Sequence, residues 1–129
     1  MNAVGVTGSR YGHPWVKRTL GLWHAKQPIT HLVLGCANGV DRQALEWALD
    51  KGVFSVVFTA DWARLGNAAG PERNDDMVKL GRQWSALWFG FPRGEFGSRG
   101  TLDCMDRALV AGLAVWEVRH DGTMEGWHR

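Results

Sequence analysis

Three glycine-rich turns constrain this chain more than any other feature, because each stands where a strand should hand over to a helix. They are Gly5-Val-Thr-Gly-Ser-Arg10, Gly35-Cys-Ala-Asn-Gly-Val-Asp41 and Gly94-Glu-Phe-Gly-Ser-Arg-Gly-Thr101. The first two follow the short apolar runs Ala3 to Val6 and His31 to Leu34, and the third follows Trp84 to Phe91. A glycine-rich turn lets backbone come close to an anion, and the helix behind it presents unpaired N–H groups and a positive dipole end. Three such turns at one edge of one sheet would form a floor for phosphate.

The rest of the sequence supplies the elements those turns need. Strands are expected at Ala3 to Thr7, Thr30 to Leu34, Val53 to Phe58, Trp84 to Phe89 and Leu113 to Val118. Val53-Phe-Ser-Val-Val-Phe58 is almost continuously apolar, the pattern of a parallel strand covered on both faces. Between them, apolar residues at helical spacing predict helices from Pro14 to about Lys26, Val40 to Lys51, Glu72 to Leu80 and Thr101 to Ala111. Gly52, Gly81 and Gly112 stop the last three, as glycines beyond a helix end do. Thr59 to Pro71 is the least regular stretch and reads as a functional loop with room for one helical turn. Strand and helix alternate throughout, and right-handed crossovers then favour one Rossmann-like, doubly wound parallel sheet of about five strands with helices on both faces. Ligands in such sheets sit beyond the carboxyl ends of the strands, where the strand order reverses. All three turns lie at those ends.

A chain of 129 residues is most simply one domain. We assign residues 1–118 to it and 119–129 to a C-terminal tail, which could equally form a hairpin arm or a subunit contact. No apolar run reaches the roughly 20 residues a membrane span needs, and the N-terminus lacks the features of a signal peptide. Cys36 and Cys104 are expected to be reduced thiols in a cytoplasmic protein. His13, His24, His31, His120 and His128 show no metal-ligand spacing, so neither a metal nor a cofactor is expected. There is no Walker-type Gly-Lys-Ser/Thr and no plausible Ser-His-Asp set. A net charge of +2 does not describe a nucleic-acid-coating surface. Eight tryptophans are many for this length and serve a core, an interface or ligand stacking.

Within the turns, Gly8-Ser9-Arg10 offers backbone N–H groups and a guanidinium suited to bidentate phosphate contact; the alternative is a tight turn with a surface arginine. Gly35 and Gly39 could wrap a phosphate in front of the helix that starts at Val40. Asp41 either touches the ligand or only caps that helix. At the end of the third strand, Asp61 could accept from a ribose hydroxyl and Trp62 could stack on a base, or Trp62 could simply plug the domain edge.

The ordered set of Gly8-Ser9-Arg10, Gly35 to Asp41 with Ala44, Trp47 and Ala48, Ala60-Asp61-Trp62, Gly66, Ala69-Gly70-Pro71, Arg73-Asn74, Met77, Phe91-Pro92, Gly100-Thr101 and Asp103 resembles the SLOG superfamily of Rossmann-like nucleotide-binding domains. Its strongest likeness is to the small YspA-like branch, often found in phages and bacterial conflict or signalling loci. Relatives include the LOG phosphoribohydrolases and the DNA-processing DprA/Smf proteins. The resemblance spans Val4 to about Val118. It implies a nucleotide or nucleotide-derived ligand, with Gly8, Ser9, Arg10, Gly39, Gly97, Gly100 and Thr101 toward its phosphate and Trp62, Arg73 and Asn74 around its ribose and base. Arg73 gains weight from physics as well, because a cation in a helix's first turn opposes the dipole. Homo-oligomers are common in this fold and are expected here.

LOG-type enzymes carry Pro-Gly-Gly-x-Gly-Thr-x-x-Glu after the fourth strand, where the glutamate assists cleavage of an N-glycosidic bond. Aligned on Gly100-Thr101, that glutamate position falls on Cys104 here, with Asp103 one residue earlier. The first reading is therefore a binding module, a sensor or sequestering protein for a nucleotide. The second is an N-glycosidase using Asp103 or Glu95 with Arg73 holding the ligand. The third, carried only by the DNA-processing relatives and by tryptophan stacking, is single-stranded nucleic-acid handling.

Overall fold

The computed structural model describes residues 1–93 and 99–128. Six strands form one sheet in the order β3-β2-β1-β4-β5-β6. They are β1 (Ala3–Gly8), β2 (His31–Gly35), β3 (Phe54–Phe58), β4 (Leu87–Phe91), β5 (Val115–Val118) and β6 (Met124–Gly126). The first five are parallel to their neighbours, and β6 runs antiparallel to β5. The expected doubly wound α/β sheet is thus present, with one strand more than the five expected. The sixth lies in the 119–129 segment, which takes the hairpin form: Arg119 N–H donates to the Thr123 carbonyl, and Asp121 accepts from the Thr123 amide and hydroxyl.

Alternation along the strands sorts the core onto two faces. Val4, Val6, Leu32, Leu34, Phe89 and Phe91 meet α1 (Val16–Lys26) and α2 (Val40–Lys51) on one side. Ala3, Val33, Trp88 and Val115 meet α4 (Ala69–Gln83) and α5 (Arg99–Val110) on the other. Two glycines on this second face admit its largest side chains. A Cβ on Gly5 would lie 2.2 Å from the Trp88 ring, and one on Gly90 2.3 Å from Met105 Sδ. A short α3 (Trp62–Leu65) and a 3-10 turn (Gly66–Ala68) lead into α4.

Several boundaries depart from expectation for identifiable reasons. β3 is the sheet edge rather than a strand covered on both faces; Phe54 is 61% exposed and Val57 39%. An apolar run records β-propensity but not strand order. α1 starts at Val16, after a turn through Pro14 and Trp15. β4 starts at Leu87 rather than Trp84, because Trp84 to Ala86 close the C-terminus of α4: the Trp84 amide donates to Leu80 and the Ala86 amide to Gly81, around Ser85 at φ 50°. α4 begins three residues before Glu72, with Pro71 tolerated in its first turn.

Candidate functional site

Strand order reverses between β1 and β4: from β1 the chain builds outward through β2 and β3, then returns to β4 on the other side. The crevice beyond the carboxyl ends of β1 and β4 is therefore the place where this architecture takes ligands. Of four groups of residues at this end of the sheet, three meet around it.

The first is a packing nexus built from Gly8, Ser9 and Gly39. The Ser9 amide donates to the Phe91 carbonyl at 3.1 Å, joining the two loops that flank the crevice. The Ser9 carbonyl accepts from Gly12 at 3.1 Å and from Val40 at 3.0 Å, and its Oγ accepts from the Tyr11 amide at 3.1 Å. Ser9 is 1% exposed, so its amide is engaged inside the protein. A Cβ on Gly8 would fall 2.6 Å from Val40, and one on Gly39 2.4 Å from the Arg10 backbone. Gly39 also holds φ at 75°, where a side chain is strained. These glycines let the start of α2 press against the β1 turn.

The second group is a polar network reaching from β2 to α5. Gly35 leaves a gap in which the Arg73 guanidinium and the Asp41 carboxylate both lie: its missing Cβ would be 2.6 Å from Arg73 Nη1 and 2.8 Å from Asp41 Oδ2. Asp41 does not cap α2, whose N-cap position is Gly39. It reaches back to accept from the Ala37 amide at 3.2 Å. At 6% exposure, desolvation pushes its carboxyl up to about 6, against the weaker opposing pull of Arg73 and the Ala37 N–H. Arg73 Nε donates to Asn74 Oδ1 at 3.1 Å. Buried Asn74 then donates to the Gly100 carbonyl at 3.2 Å and to Asp103 Oδ2 at 3.0 Å. Arg107 Nε donates to the same Asp103 oxygen at 2.9 Å. Gly35, Asp41, Arg73, Asn74, Gly100 and Asp103 are thereby brought together, while Gly100 and the buried Thr101 lie inside α5 rather than in a turn. Cys104, at the position of the LOG glutamate, is fully buried, and burial pushes its thiol up to about 12. It can serve neither as base nor as nucleophile at neutral pH.

The third group stands apart from the second. Asp61 is the N-cap of α3, accepting from the Arg64 amide at 3.2 Å and from Arg64 Nε at 3.0 Å, and these bonds hold its carboxyl below the ordinary value. Trp62 is 58% exposed and leans over Gly70. Both follow edge strand β3, two strands from β1, or about 10 Å along the sheet. Glu95 and Gly97 lie outside the described residues.

In the fourth group, around Arg10, sequence reasoning missed Tyr11 and Arg93. Tyr11 follows Arg10 and is 72% exposed. The Arg93 guanidinium lies over its ring at 4.8 Å, and that of Arg10 at 5.8 Å. Beneath them His13 is buried against Phe91, ring centroids 5.2 Å apart. Its Nδ1 accepts from the Trp15 amide, and its Nε2 has no well-aligned partner among the described residues. Burial, helped by nearby His120, lowers its pKa to about 4, so the ring is neutral. Arg10 and Arg93 belong to different strand ends and become neighbours only through the strand order.

A depression of about 170 Å³ at the β2–α2 turn is lined by Gly35, Cys36, Asn38 and Asp41 among others. Larger grooves lie between α1 and the β5–β6 hairpin, about 410 Å³, and between α4 and α5, about 530 Å³. The α1 groove is floored by Trp23 and Phe89 and lies away from the glycine turns. The α4–α5 groove draws its charges into internal pairs such as Lys79–Asp75. For a phosphorylated ligand, the chemistry favours the strand ends over either. Among the described residues no cluster fits a metal ion, and no helix is long and apolar enough to cross a membrane.

With this geometry in hand, known proteins place the chain. A model of the YspA, cpYpsA-related SLOG family matches residues 3–65, the half that holds the first two glycine turns and Asp61. Gene 61 protein of Mycobacterium phage D29 is 35% identical over 127 residues, covering 89% of this chain and 94% of that protein. The chain belongs to the SLOG superfamily. DNA processing protein A (DprA) from Streptococcus pneumoniae shares the fold at a TM-score of 0.68 and 17% identity, over 91% of this chain. The SLOG chain spans half the length of that protein. Membership in the superfamily points to a role connected with nucleotides or nucleic acid.

Proposed function

We propose that this SLOG protein binds a phosphorylated nucleotide or nucleotide derivative beyond the carboxyl ends of its strands, as a sensor or sequestering module. The observation that carries the reading is the Arg73 guanidinium seated over Gly35, beside a carboxyl whose pKa burial raises to about 6. A cation fixed by Asn74 and approached by backbone lacking a side chain is a preorganised anion site. Arg10 and Arg93 add two further guanidinium groups at the crevice.

Binding is favoured over cleavage by the state of the candidate acids. Asp103 is held by Asn74 and Arg107, and the residue at the LOG glutamate position is an inert buried thiol. Incubation with a panel of nucleotides, cyclic nucleotides and NAD derivatives, followed by mass spectrometry, tests the proposal. A ligand should be retained intact by the wild type and lost from Arg73→Ala. Release of free base with turnover would replace this reading with an N-glycosidase, and retention of no ligand would refute it.

A further inference from the structure

The polar network accounts for an anion but leaves the base of a nucleotide without a partner. We propose, on the reading above, that the base stacks on the Tyr11 ring in the place the Arg93 guanidinium now covers, Arg93 swinging outward onto the base, with Arg10 turned to the phosphate. The argument begins with position. Tyr11 follows β1 and Arg93 follows β4, the two strands between which the order reverses, and the Ser9–Phe91 hydrogen bond ties their loops together. Tyr11 therefore stands at the crevice itself, whereas Trp62 stands at the edge strand.

Tyr11 also has no role in the core. It is 72% exposed, yet its backbone is held: its amide donates to Ser9 Oγ, Gly12 donates to the Ser9 carbonyl, and the next residue, His13, exchanges two hydrogen bonds with the Gln43 side chain. A fixed turn thus displays an aromatic face outward. The guanidinium groups of Arg93 and Arg10 lie over that ring, and neither forms an ion pair with a carboxylate among the described residues. At 4.8 Å the Arg93 guanidinium covers that face; a flat, electron-rich base takes its place as the flexible arginine swings outward to stack on the base, and the second cation suits the phosphate attached to it. The ligand chemistry is a nucleobase carrying a phosphate. It can come from a free nucleotide or from an unpaired nucleotide in a single strand.

The test titrates ribose 5-phosphate, AMP, GMP, CMP and UMP by calorimetry, and a short fluorescein-labelled oligothymidylate by anisotropy. Wild type, Tyr11→Ala, Tyr11→Phe and Arg73→Ala are compared, each checked for folding by circular dichroism. At least one base-bearing probe should bind more tightly than ribose 5-phosphate. Tyr11→Ala should weaken that probe by about ten-fold or more and leave ribose 5-phosphate unchanged, while Tyr11→Phe keeps wild-type affinity. Tyr11-dependent binding of mononucleotides assigns the free source, and of the oligothymidylate alone the single-stranded source. A nucleotide that needs Arg73 but is indifferent to Tyr11→Ala, or that binds no better than ribose 5-phosphate, overturns the stacking proposal and leaves the proposed function standing. A folded wild type that binds none of these probes overturns the stacking proposal, and one that also retains no cyclic nucleotide or NAD derivative overturns the proposed function with it.

Discussion

Replacing Asp41 with asparagine tests the electrostatics at the centre of the site. In the folded protein this carboxyl titrates near 6, against 3.8 in its ordinary state, chiefly because it is desolvated. A folded pKa raised above the unfolded one means that stability is fully present below about pH 3.8 and is lost as pH rises through 6. At 1.36 kcal/mol per unit, the raised pKa of Asp41 costs the folded state about 3 kcal/mol at pH 7.5 and about 1 kcal/mol at pH 4.5. Asparagine keeps the acceptor for the Ala37 amide and removes the titration. Its new amide donor changes stability by the same amount at both pH values and cancels in the comparison. Urea unfolding of both proteins at both pH values should therefore show Asp41→Asn gaining about 2 kcal/mol relative to wild type between pH 4.5 and pH 7.5. Taking the difference is essential, because His13 acts oppositely. Its pKa is lowered from 6.5 to about 4, so its contribution is present above pH 6.5 and fades as pH falls through 4. The two slopes oppose each other in the wild-type profile alone. A double difference near zero, or of reversed sign, would refute the burial argument for Asp41.

Three further outcomes are expected. Ellman's reagent should label one thiol rapidly in the native protein and two after denaturation, because Cys36 is exposed while Cys104 is buried with its pKa near 12; two fast thiols would refute the burial of Cys104. Gly39→Ala should lose more than about 2 kcal/mol in urea unfolding, since φ is 75° and a Cβ would lie 2.4 Å from the Arg10 backbone; a neutral result would refute the close approach of α2 to the β1 turn. Gly100→Ala should be neutral or stabilising by about 0.5–1 kcal/mol, because Gly100 is helical with open space around it; a large loss by the same measurement would show that the glycine is needed there.

The sheet was legible because two periodicities and the glycine turns agree on the same strand-to-helix hand-overs, and α2 was bounded to the residue by Val40 and Gly52. What could not be read was spatial order. Strand sequence in the sheet decides that β3 is an edge, so its apolar residues are exposed and Trp62 lies to the side. The same order makes Tyr11 and Arg93 neighbours, although 81 residues lie between them in the chain. Asp41 was correctly singled out but its alternatives were incomplete. It neither caps α2 nor stands free; it turns back to the Ala37 amide under Gly35, where Arg73 arrives from α4. The hairpin at 119–126 was open in the sequence because its polar residues fit a tail equally well, and only pairing with β5 decides it.

A net charge of +2 looks like weak support for an anion site, but overall charge is a poor guide to where unpaired cations gather. Lys17, Lys51, Arg64, Lys79, Arg107 and Arg119 each lie within ion-pair distance of a carboxylate. Other cations do not, among the described residues, and of these Arg10, Arg73 and Arg93 stand together at the carboxyl ends of β1, β2 and β4. Asp41 lies beside Arg73 at Gly35, and its titration near 6 makes the local field depend on pH. Protonated, it leaves Arg73 uncompensated; ionised, it opposes an incoming phosphate. Affinity for a cyclic nucleotide, whose diester does not titrate in this range, should therefore fall as pH rises from 5 to 7.5, and Asp41→Asn should remove that dependence. Calorimetric titrations across the range measure it. A pH-independent wild type that still requires Arg73 would show that Asp41 supports the loop without shaping the charge seen by the ligand.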